Sequence, residues 1–197
     1  MEYTTLHIYD FDGTLYNSPV PNRALWDRNT FGKLQSPNSA SGYGWYQNPI
    51  TLEEKYAKVD RFNESIVESV KLSIAMGAYV VLLTGRHLKH RQNINRLLDA
   101  KNLQFDRVLL KVGETDRTFD FKAAMIKSLL VEYPTVNKIT LWDDRERHMP
   151  KFIEFLKDLS TKVQLDWVFN KVDIAPTYLD VVDEREIVSN LMEKSSS

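Results

Sequence analysis

The chain has no cysteine among its 197 residues, which excludes disulfide bonds, thiolate catalysis and cysteine metal sites. It also has almost no net charge: the formal value is -1 at pH 7, so composition gives no general attraction to nucleic acid or to an anionic membrane. No apolar run approaches the roughly 18 residues of a membrane span, and the N-terminus lacks a charged leader followed by an apolar segment. These absences predict a soluble intracellular protein of the cytoplasm or nucleus.

Length and composition fit a single domain. Hydrophobic residues make up 43% of the chain, and a chain of this size buries enough surface for a sizeable core. No internal repeat is visible. We predict one domain over residues 1–193, with an irregular insert at about residues 16–50 and a disordered tail at residues 194–197. The sequence leaves the oligomeric state open.

Apolar runs alternate along the chain with patterns of helical periodicity, which favours an α/β fold with a parallel sheet covered by helices on both faces. The first predicted helix begins at a capping box, Thr51 to Glu54, and ends at Gly77. Its apolar face holds Phe62, Ile66, Val70 and Ile74. The predicted strands are Leu6–Tyr9, Tyr79–Leu83, Arg107–Leu110, Ile139–Trp142 and Leu165–Phe169. The further predicted helices are Leu88–Ala100, Phe119–Val131, Pro150–Leu159 and Asp183–Met192.

The segment Asp10-Phe11-Asp12-Gly13-Thr14 directly follows the first predicted strand. Two carboxylates two residues apart at a strand end suit phosphoryl transfer. Asp10 can attack a phosphorus atom and form an aspartyl phosphate, while Asp12 can give a proton to the leaving oxygen. Gly13 allows a sharp turn of the backbone. An Asx turn without catalytic meaning is the alternative, because Asp and Gly are both good turn formers.

Further segments complete a pattern that resembles phosphatases of the haloacid dehalogenase (HAD) superfamily. The apolar run Val80–Leu83 ends in Thr84-Gly85-Arg86. The resemblance implies a Rossmann-like HAD fold in which Thr84 binds the transferred phosphoryl group. Gly85 and Arg86, the rest of this motif, are expected to contact the substrate. In an open parallel sheet, ligands bind beyond the carboxyl ends of the strands, where these residues fall.

Lys122 and the acids after the fourth predicted strand carry the remaining resemblance. Lys122 resembles the lysine that balances charge on the nucleophile and the phosphate. Mg²⁺ prefers oxygen ligands in near-octahedral geometry and is commonly held by carboxylates, phosphate and water. Asp143 is a metal ligand or a partner that orients water or Lys122. The expected metal residues are Asp10, Asp12 through its backbone carbonyl, Asp143 and Asp144.

The segments between these motifs are short. Residues 16–50 are irregular and rich in Pro, Asn, Ser and Gly, and residues 86–122 hold one helix and one strand. Neither has room for the large cap domain that closes over small substrates in many HAD enzymes. We therefore predict a minimal cap and an open site, which resembles family members that act on macromolecules.

The insert has a pattern of its own. It contains Ser18-Pro19-Val20-Pro21-Asn22, then Leu25-Trp26, and it closes on the run from Gly42 to Pro49. With Phe121-Lys122 and Asp143-Asp144-Arg145, this pattern resembles the HAD domain of fungal Swiss Army Knife RNA repair proteins. The resemblance implies a phosphorylated nucleic acid end as the substrate.

Aromatic and basic side chains offer contacts for such a substrate. Trp45 and its aromatic neighbours could stack on unpaired bases, or they could form a small core that holds the insert. The run from Arg86 to Arg91 could follow a phosphate backbone or be a solvated helix start. Arg145 could bind a second phosphate or pair with Glu146. The aromatic residues are Trp26, Tyr43, Trp45 and Tyr46.

The sequence thus predicts a Mg²⁺-dependent phosphohydrolase with an aspartyl phosphate intermediate, acting on phosphorylated nucleic acid ends, RNA in particular, in repair or processing. One alternative is a phosphatase for a small phosphometabolite or a phosphoprotein. Another is an RNA-binding module that keeps the fold without turnover, although the presence of every expected catalytic residue argues against it.

Overall fold

The computed structural model describes residues 2–35, 44–113 and 117–194. A single sheet forms the centre of this part of the chain. Its strands are β1 (Thr5–Tyr9), β2 (Tyr79–His87), β3 (Arg107–Lys111), β4 (Lys138–Asp143) and β5 (Asp166–Lys171). They lie in the order β3-β2-β1-β4-β5, and each neighbouring pair is parallel. The predicted α/β class with a parallel sheet is confirmed.

Helices follow the strands in the alternation that the sequence predicts. The α-helices of the described residues are α1 (Arg28–Gln35), α2 (Glu64–Ala75), α3 (Arg91–Ala100), α4 (Thr118–Glu132), α5 (Met149–Lys162) and α6 (Val181–Lys194). Apolar residues of α2 and α3 share one buried cluster with the sheet, and those of α4 and α5 share another. The two helix pairs therefore cover opposite faces of the sheet.

The first strand shows how the sequence sets these two faces. Successive side chains of a strand point to opposite sides. Leu6 and Ile8 pack in the cluster of α4 and α5, while Tyr9 packs in that of α2 and α3. All three side chains are at most 3% exposed, which explains why the strand reads as a continuous apolar run.

The carboxyl ends of three neighbouring strands bring the predicted motifs together. Asp10 directly follows β1, the central strand of the three, and Asp143 ends β4 beside it. Thr84 lies inside β2 on the other side of β1, just before the pairing with β3 shifts register between Thr84 and His87. The shift marks the point at which the β2 backbone leaves regular pairing beside Asp10.

Two predictions for residues 16–77 were wrong. The insert contains α1, and the capping box at Thr51 does not open a helix. Residues Pro49–Leu52 form a single 3-10 turn capped by the Asn48 side chain, after which Glu53 is extended. The long helix begins only at Glu64, and Ile74, predicted to be buried, is 45% exposed. The Thr51 side chain contacts Arg86 of β2, as described below.

The described residues of the insert are packed against the rest of the chain. Trp45 and Leu34 of the insert share a buried cluster with Ile187 and Leu191 of α6. Glu184 of the same helix is 1% exposed. Its Oε1 accepts hydrogen bonds from the Asn22 amide at 2.6 Å and from Trp26 Nε1 at 2.9 Å. The C-terminal helix is therefore the platform on which the insert is built.

None of the helices formed by the described residues is long and apolar enough to cross a bilayer. Of the predicted tail, Lys194 is the last residue of α6. The remaining three positions, 195–197, lie outside the described residues.

Candidate active site

Asp10 and Gly13 shape the turn at the centre of the site. The Asp10 amide donates to the Trp142 carbonyl at 2.9 Å, which ties the end of β1 to β4. Gly13 has a positive φ of 73°, a conformation that side chains disfavour. A Cβ at Gly13 would lie only 2.3 Å from Asp144 Oδ2. Glycine is needed here both for the turn and for the close approach of the Asp144 carboxylate.

Three carboxylates and one lysine form the core of the site. Asp10, Asp143 and Asp144 bring carboxylate oxygens within 4.8 Å of one another. Lys122, on α4, places its Nζ 2.8 Å from Asp10 Oδ1 and 2.7 Å from Asp143 Oδ2. The side chains in both ion pairs are buried. One ammonium group is thus present among three carboxylates. The cluster therefore has an excess of negative charge, which a divalent cation could balance.

The close packing of these charged side chains shifts their pKa values. Burial raises the pKa of Asp10, and the charges of Asp143 and Asp144 raise it further, against the opposing effects of Lys122 and Arg145. Burial and the charge of Asp143 likewise raise the pKa of Asp144. Burial alone would lower the pKa of Lys122, but the charges of Asp10 and Asp143 outweigh it and raise that pKa. Repulsion among the acids thus favours the protonated forms of Asp10 and Asp144.

The donor set fits Mg²⁺. Asp144 Oδ1 is buried and has no hydrogen-bond partner among the described residues. Asp143, in contrast, uses both oxygens: Oδ2 accepts from Lys122 and Oδ1 accepts from the Arg145 amide at 2.9 Å. A hard ion that prefers carboxylate oxygens suits the buried oxygens of Asp10 and Asp144. Asp143 is better placed to hold Lys122 in position.

Asp12 is held by a buried clamp. Arg86 donates from Nε to Asp12 Oδ2 at 2.8 Å and from Nη2 to Oδ1 at 2.7 Å, a bidentate pair of the stronger kind. The Ser18 hydroxyl donates to the same Oδ1. The third guanidinium nitrogen of Arg86, Nη1, donates to Thr51 Oγ1 at 2.9 Å. Ser18 of the insert and Arg86 of β2 therefore fix this carboxylate, and Thr51 in turn holds Arg86.

The clamp sets the charge state of Asp12. Burial alone would raise its pKa, but the charge of Arg86 and the hydrogen bonds from Arg86 and Ser18 outweigh burial and hold the pKa below its usual range. Asp12 is therefore ionised in the free protein, as a base must be. A phosphate dianion close by would raise the pKa again, because like charges favour protonation.

Arg86 requires a correction. The sequence predicts that it contacts the substrate, yet its side chain is 1% exposed and all three guanidinium nitrogens bind protein oxygens. The structure assigns it to positioning Asp12. No local pattern announces this role, because the paired residues are 74 positions apart in the chain.

A glutamine that the sequence patterns did not reveal, Gln47, forms hydrogen bonds with the backbone at the end of β2. Gln47 Nε2 donates to the Gly85 carbonyl at 2.9 Å, and the His87 amide donates to Gln47 Oε1 at 3.1 Å. One side chain thus replaces a strand partner where regular pairing ends. A Cβ at Gly85 would lie 2.5 Å from Thr118 Cγ2, so only glycine fits against α4. Thr84 is 1% exposed and accepts from the Arg86 amide at 3.2 Å.

Trp45 also requires a correction. It is 5% exposed, and its Nε1 donates to the Pro19 carbonyl at 2.8 Å. A ring held in this way cannot stack on a base, so the alternative of a small core is the correct one for Trp45. Trp26 packs against the same cluster. Tyr43 lies outside the described residues.

Tyr46, another aromatic residue of the insert, lies against Arg86 and close to the acids. Arg86 Cζ lies 5.6 Å from the centre of its ring, within the range of a cation–π contact. Burial raises the pKa of Tyr46, and the charges of Asp12 and Asp144 raise it further. Its half-buried ring therefore borders the site that Trp45 was expected to line.

Arg145 brings a second positive charge to the acids. Its amide is fixed by Asp143, and its side chain is half-buried. Burial alone would lower its pKa, but the charges of Asp10, Asp143 and Asp144 outweigh burial and raise it. The guanidinium is therefore charged beside the carboxylates, where a phosphate group would also lie.

Comparison with known proteins gives matches over most of the chain. Residues 18–197 match HAD domain family 1 in Swiss Army Knife RNA repair proteins. Asp10 and Asp12 precede the matched stretch, and the other predicted catalytic residues lie within it. The chain is also 28% identical over 212 residues to the uncharacterized protein YMR265C of Saccharomyces cerevisiae, covering 98% of this chain and 46% of that protein.

A solved structure shares the fold. A chain in the Pnkp1/Rnl/Hen1 complex superposes with a TM-score of 0.50 at 19% identity, covering 87% of this chain and 48% of that one. A chain in the Pnkp1/Rnl/Hen1 RNA repair complex gives a TM-score of 0.48 at 18% identity, covering 86% and 43%. This chain spans about half the length of the relatives that it matches.

Proposed function

This chain belongs to HAD domain family 1 in Swiss Army Knife RNA repair proteins, and from that membership we propose that it is a Mg²⁺-dependent phosphohydrolase acting on phosphorylated RNA ends. The observation that carries the proposal is the grouping of Asp10, Asp143 and Asp144 within 4.8 Å around Lys122. Asp12 lies clamped beside them. This set contains a nucleophile, a proton carrier and charge balance for a phosphoryl group.

The proposed reaction has two displacements at phosphorus. When the phosphate dianion binds beside Asp12, its carboxylate takes up a proton from solvent. Asp10 then attacks the phosphate ester, a new P–O bond forms to its carboxylate, and the bond to the leaving oxygen breaks as Asp12 gives that oxygen its proton. Asp12, ionised again, then takes a proton from the water that attacks the aspartyl phosphate, releasing inorganic phosphate and restoring Asp10. The clamp of Arg86 and Ser18 keeps Asp12 oriented through both steps.

The remaining residues neutralise and hold the phosphoryl group. Lys122 balances the charge of Asp10 and of the phosphate, and Arg145 lies where it can bind phosphate oxygens. The Thr84 hydroxyl, inside β2, would bind the transferred phosphoryl group. A bound Mg²⁺, held by Asp10 and Asp144, would stabilise the negative charge that builds up in transfer.

An assay of phosphate release tests the proposal. Purified protein would be incubated with an oligonucleotide that carries a terminal 3′-phosphate, a 5′-phosphate or a cyclic phosphate, in Mg²⁺ and in excess chelator. We expect release from at least one monoester end that depends on Mg²⁺. Release from none of these ends, combined with turnover of a phosphosugar panel, would favour a phosphatase for small metabolites.

That second candidate has one observation in its favour. The described part of the insert is packed against α6, and its residues Tyr46 and Gln47, with Thr51 just after it, reach the site. The insert is thus a small folded cover rather than an open loop, and a small ester could bind beneath it. Substrate comparison decides between the two candidates.

Asp143, the last residue of β4, and Asp144, which follows it, should respond differently to metal. We expect Asp144→Asn to raise the Mg²⁺ concentration for half-maximal activity more than Asp143→Asn, because Asp144 has a buried oxygen without a partner while Asp143 spends both oxygens on Lys122 and the Arg145 amide. A partner that only orients a ligand typically costs about 10- to 100-fold in metal affinity. Metal titrations of phosphate release measure both variants, and the reverse order would exchange the two roles.

Substrate length should matter if the substrate is a nucleic acid end. We expect kcat/KM for a 3′-phosphorylated oligonucleotide to exceed that of the matching mononucleotide by roughly 5- to 150-fold, since a neighbouring base that stacks on Tyr46, the aromatic ring beside the site, contributes about 1–3 kcal/mol. Both are compared with a sugar phosphate under the same conditions. Equal values for the two nucleotides, or a preference for the sugar phosphate, would contradict the nucleic acid assignment.

A further inference from the structure

An open groove of about 700 Å³ lies along α3 and the turn before it. The turn, Leu88–His90, continues directly from β2. The lining residues are Leu88, Lys89, Arg91, Gln92, Asn95, Arg96 and Asp99. Three of them carry positive charge and one carries negative charge, in a chain whose formal net charge is -1. The groove is thus locally positive, although the net charge of the whole chain is slightly negative.

Two of these cations are fixed by neutral partners. Arg91 Nη1 donates to the Val108 carbonyl at 3.1 Å, and Arg96 Nη2 donates to the Leu52 carbonyl at 3.0 Å. A carbonyl orients a guanidinium without cancelling its charge, and a guanidinium has five N–H donors, so others remain for an anion. Gln92 and Asn95, both exposed, add neutral donors along the same helix.

The groove is connected to the active site by a short chain of contacts. Arg96 holds the carbonyl of Leu52. The neighbouring residue, Thr51, binds Arg86, which clamps Asp12. The turn that begins the groove starts four residues after Thr84. Arg96 in the groove is therefore linked to Asp12 through Leu52, Thr51 and Arg86.

We propose that this groove binds the phosphodiester backbone of the RNA strand whose phosphorylated end enters the active site, an inference that rests on the proposed function. From residue 91 to residue 99 an α-helix advances about 12 Å, which spans about three or four phosphates at the 3.4 Å spacing of a stacked strand. Two cations fixed along that length, Arg91 and Arg96, match a repeating anion better than a single small one. The backbone contact is independent of sequence, because phosphates are the same at every position.

The double variant Lys89→Glu with Gln92→Glu tests the groove by adding negative charge without touching the arginine contacts to Val108 and Leu52. Binding of an unphosphorylated 12-nucleotide RNA is measured over a range of salt. Each phosphate contact contributes a slope of roughly -0.7 in log affinity against log salt. We expect the variant to weaken binding at least about eightfold at 50 mM salt relative to the wild type, which is that slope applied to the twentyfold step between 50 mM and 1 M.

A matched control keeps the net charge change the same. The control variant is Lys157→Glu with Gln164→Glu. Both positions are exposed; Lys157 lies in the C-terminal half of α5 and Gln164 follows that helix, which packs on the face of the sheet opposite to α3. Its effect should stay within about twofold, because charges beyond a Debye length are largely screened. Equal weakening by both variants would show a general charge effect and overturn the groove.

Turnover separates this inference from the function on which it rests. We expect the groove variant to lower the ratio of kcat/KM for the 3′-phosphorylated 12-nucleotide RNA to that for the mononucleotide. If the wild type releases phosphate from the RNA and the variant keeps both this ratio and the RNA affinity, the groove is wrong and the function stands. If the wild type acts on no RNA end, the function fails, and RNA binding alone still decides the groove.

Discussion

Asp10→Asn is expected to lower kcat for phosphate release by about 10⁴-fold or more while the protein stays folded, since loss of a covalent nucleophile removes the reaction path itself. The amide keeps the shape of the side chain but cannot attack phosphorus. The fold should survive because Lys122 retains Asp143 at 2.7 Å. The substitution also relieves the repulsion among three neighbouring acids.

The covalent step can be observed directly. A reaction with a labelled phosphate ester, quenched in acid, should leave label on the wild-type protein and none on Asp10→Asn. Circular dichroism checks the fold, and Asp120→Asn, an exposed acid in the first turn of α4, serves as the control for losing one carboxylate. Turnover by Asp10→Asn near the wild-type rate would exclude the aspartyl phosphate mechanism.

The sheet and most of its helices could be predicted from sequence because their signals are local. The five predicted strands are all present, with ends that shift by only a few residues, since each buried strand of a parallel sheet appears as a short apolar run. The acids at the ends of β1 and β4 follow from the same pattern. Once neighbouring strands are parallel, their carboxyl ends must meet at one edge.

The insert could not be predicted because its order comes from distant partners. Glu184 holds Asn22 and Trp26 from 162 and 158 residues away. Trp45 is buried against α6, so its aromatic character gave no indication of which side it faces. The capping box at Thr51 failed for a similar reason. Its hydroxyl accepts from Arg86, 35 residues later, and that contact competes with a helix start.

The roles of Asp143, Asp144 and Arg86 could not be assigned from the sequence, because they depend on which atoms contact each other in the fold. The sequence places two acids together but cannot say which oxygen is left without a partner; the structure shows that it belongs to Asp144. The Arg86 side chain follows the second motif and was expected to face the substrate. In the structure its side chain is buried and forms an ion pair with the carboxylate of Asp12.

Arg86→Met should both destabilise the protein and impair catalysis, because it leaves the Asp12 carboxylate without its charge partner in a site where the two side chains are 1% and 11% exposed. Breaking a buried pair by removing one partner typically costs about 3–5 kcal/mol in the free energy of unfolding. Loss of a positioned proton carrier typically costs about 10²- to 10⁴-fold in kcat. Chemical denaturation and phosphate release measure the two effects.

The double variant Arg86→Met with Asp12→Asn separates the two effects of the clamp. It removes both charges, so no unpaired carboxylate remains and most of the unfolding free energy should return, since neutral replacements of a buried pair are often tolerated. Activity should not return, because an asparagine at position 12 can neither give nor take the proton. If Arg86→Met alone kept both stability and full turnover, Asp12 would not depend on the clamp. If the double variant regained turnover, Asp12 would not be the proton carrier.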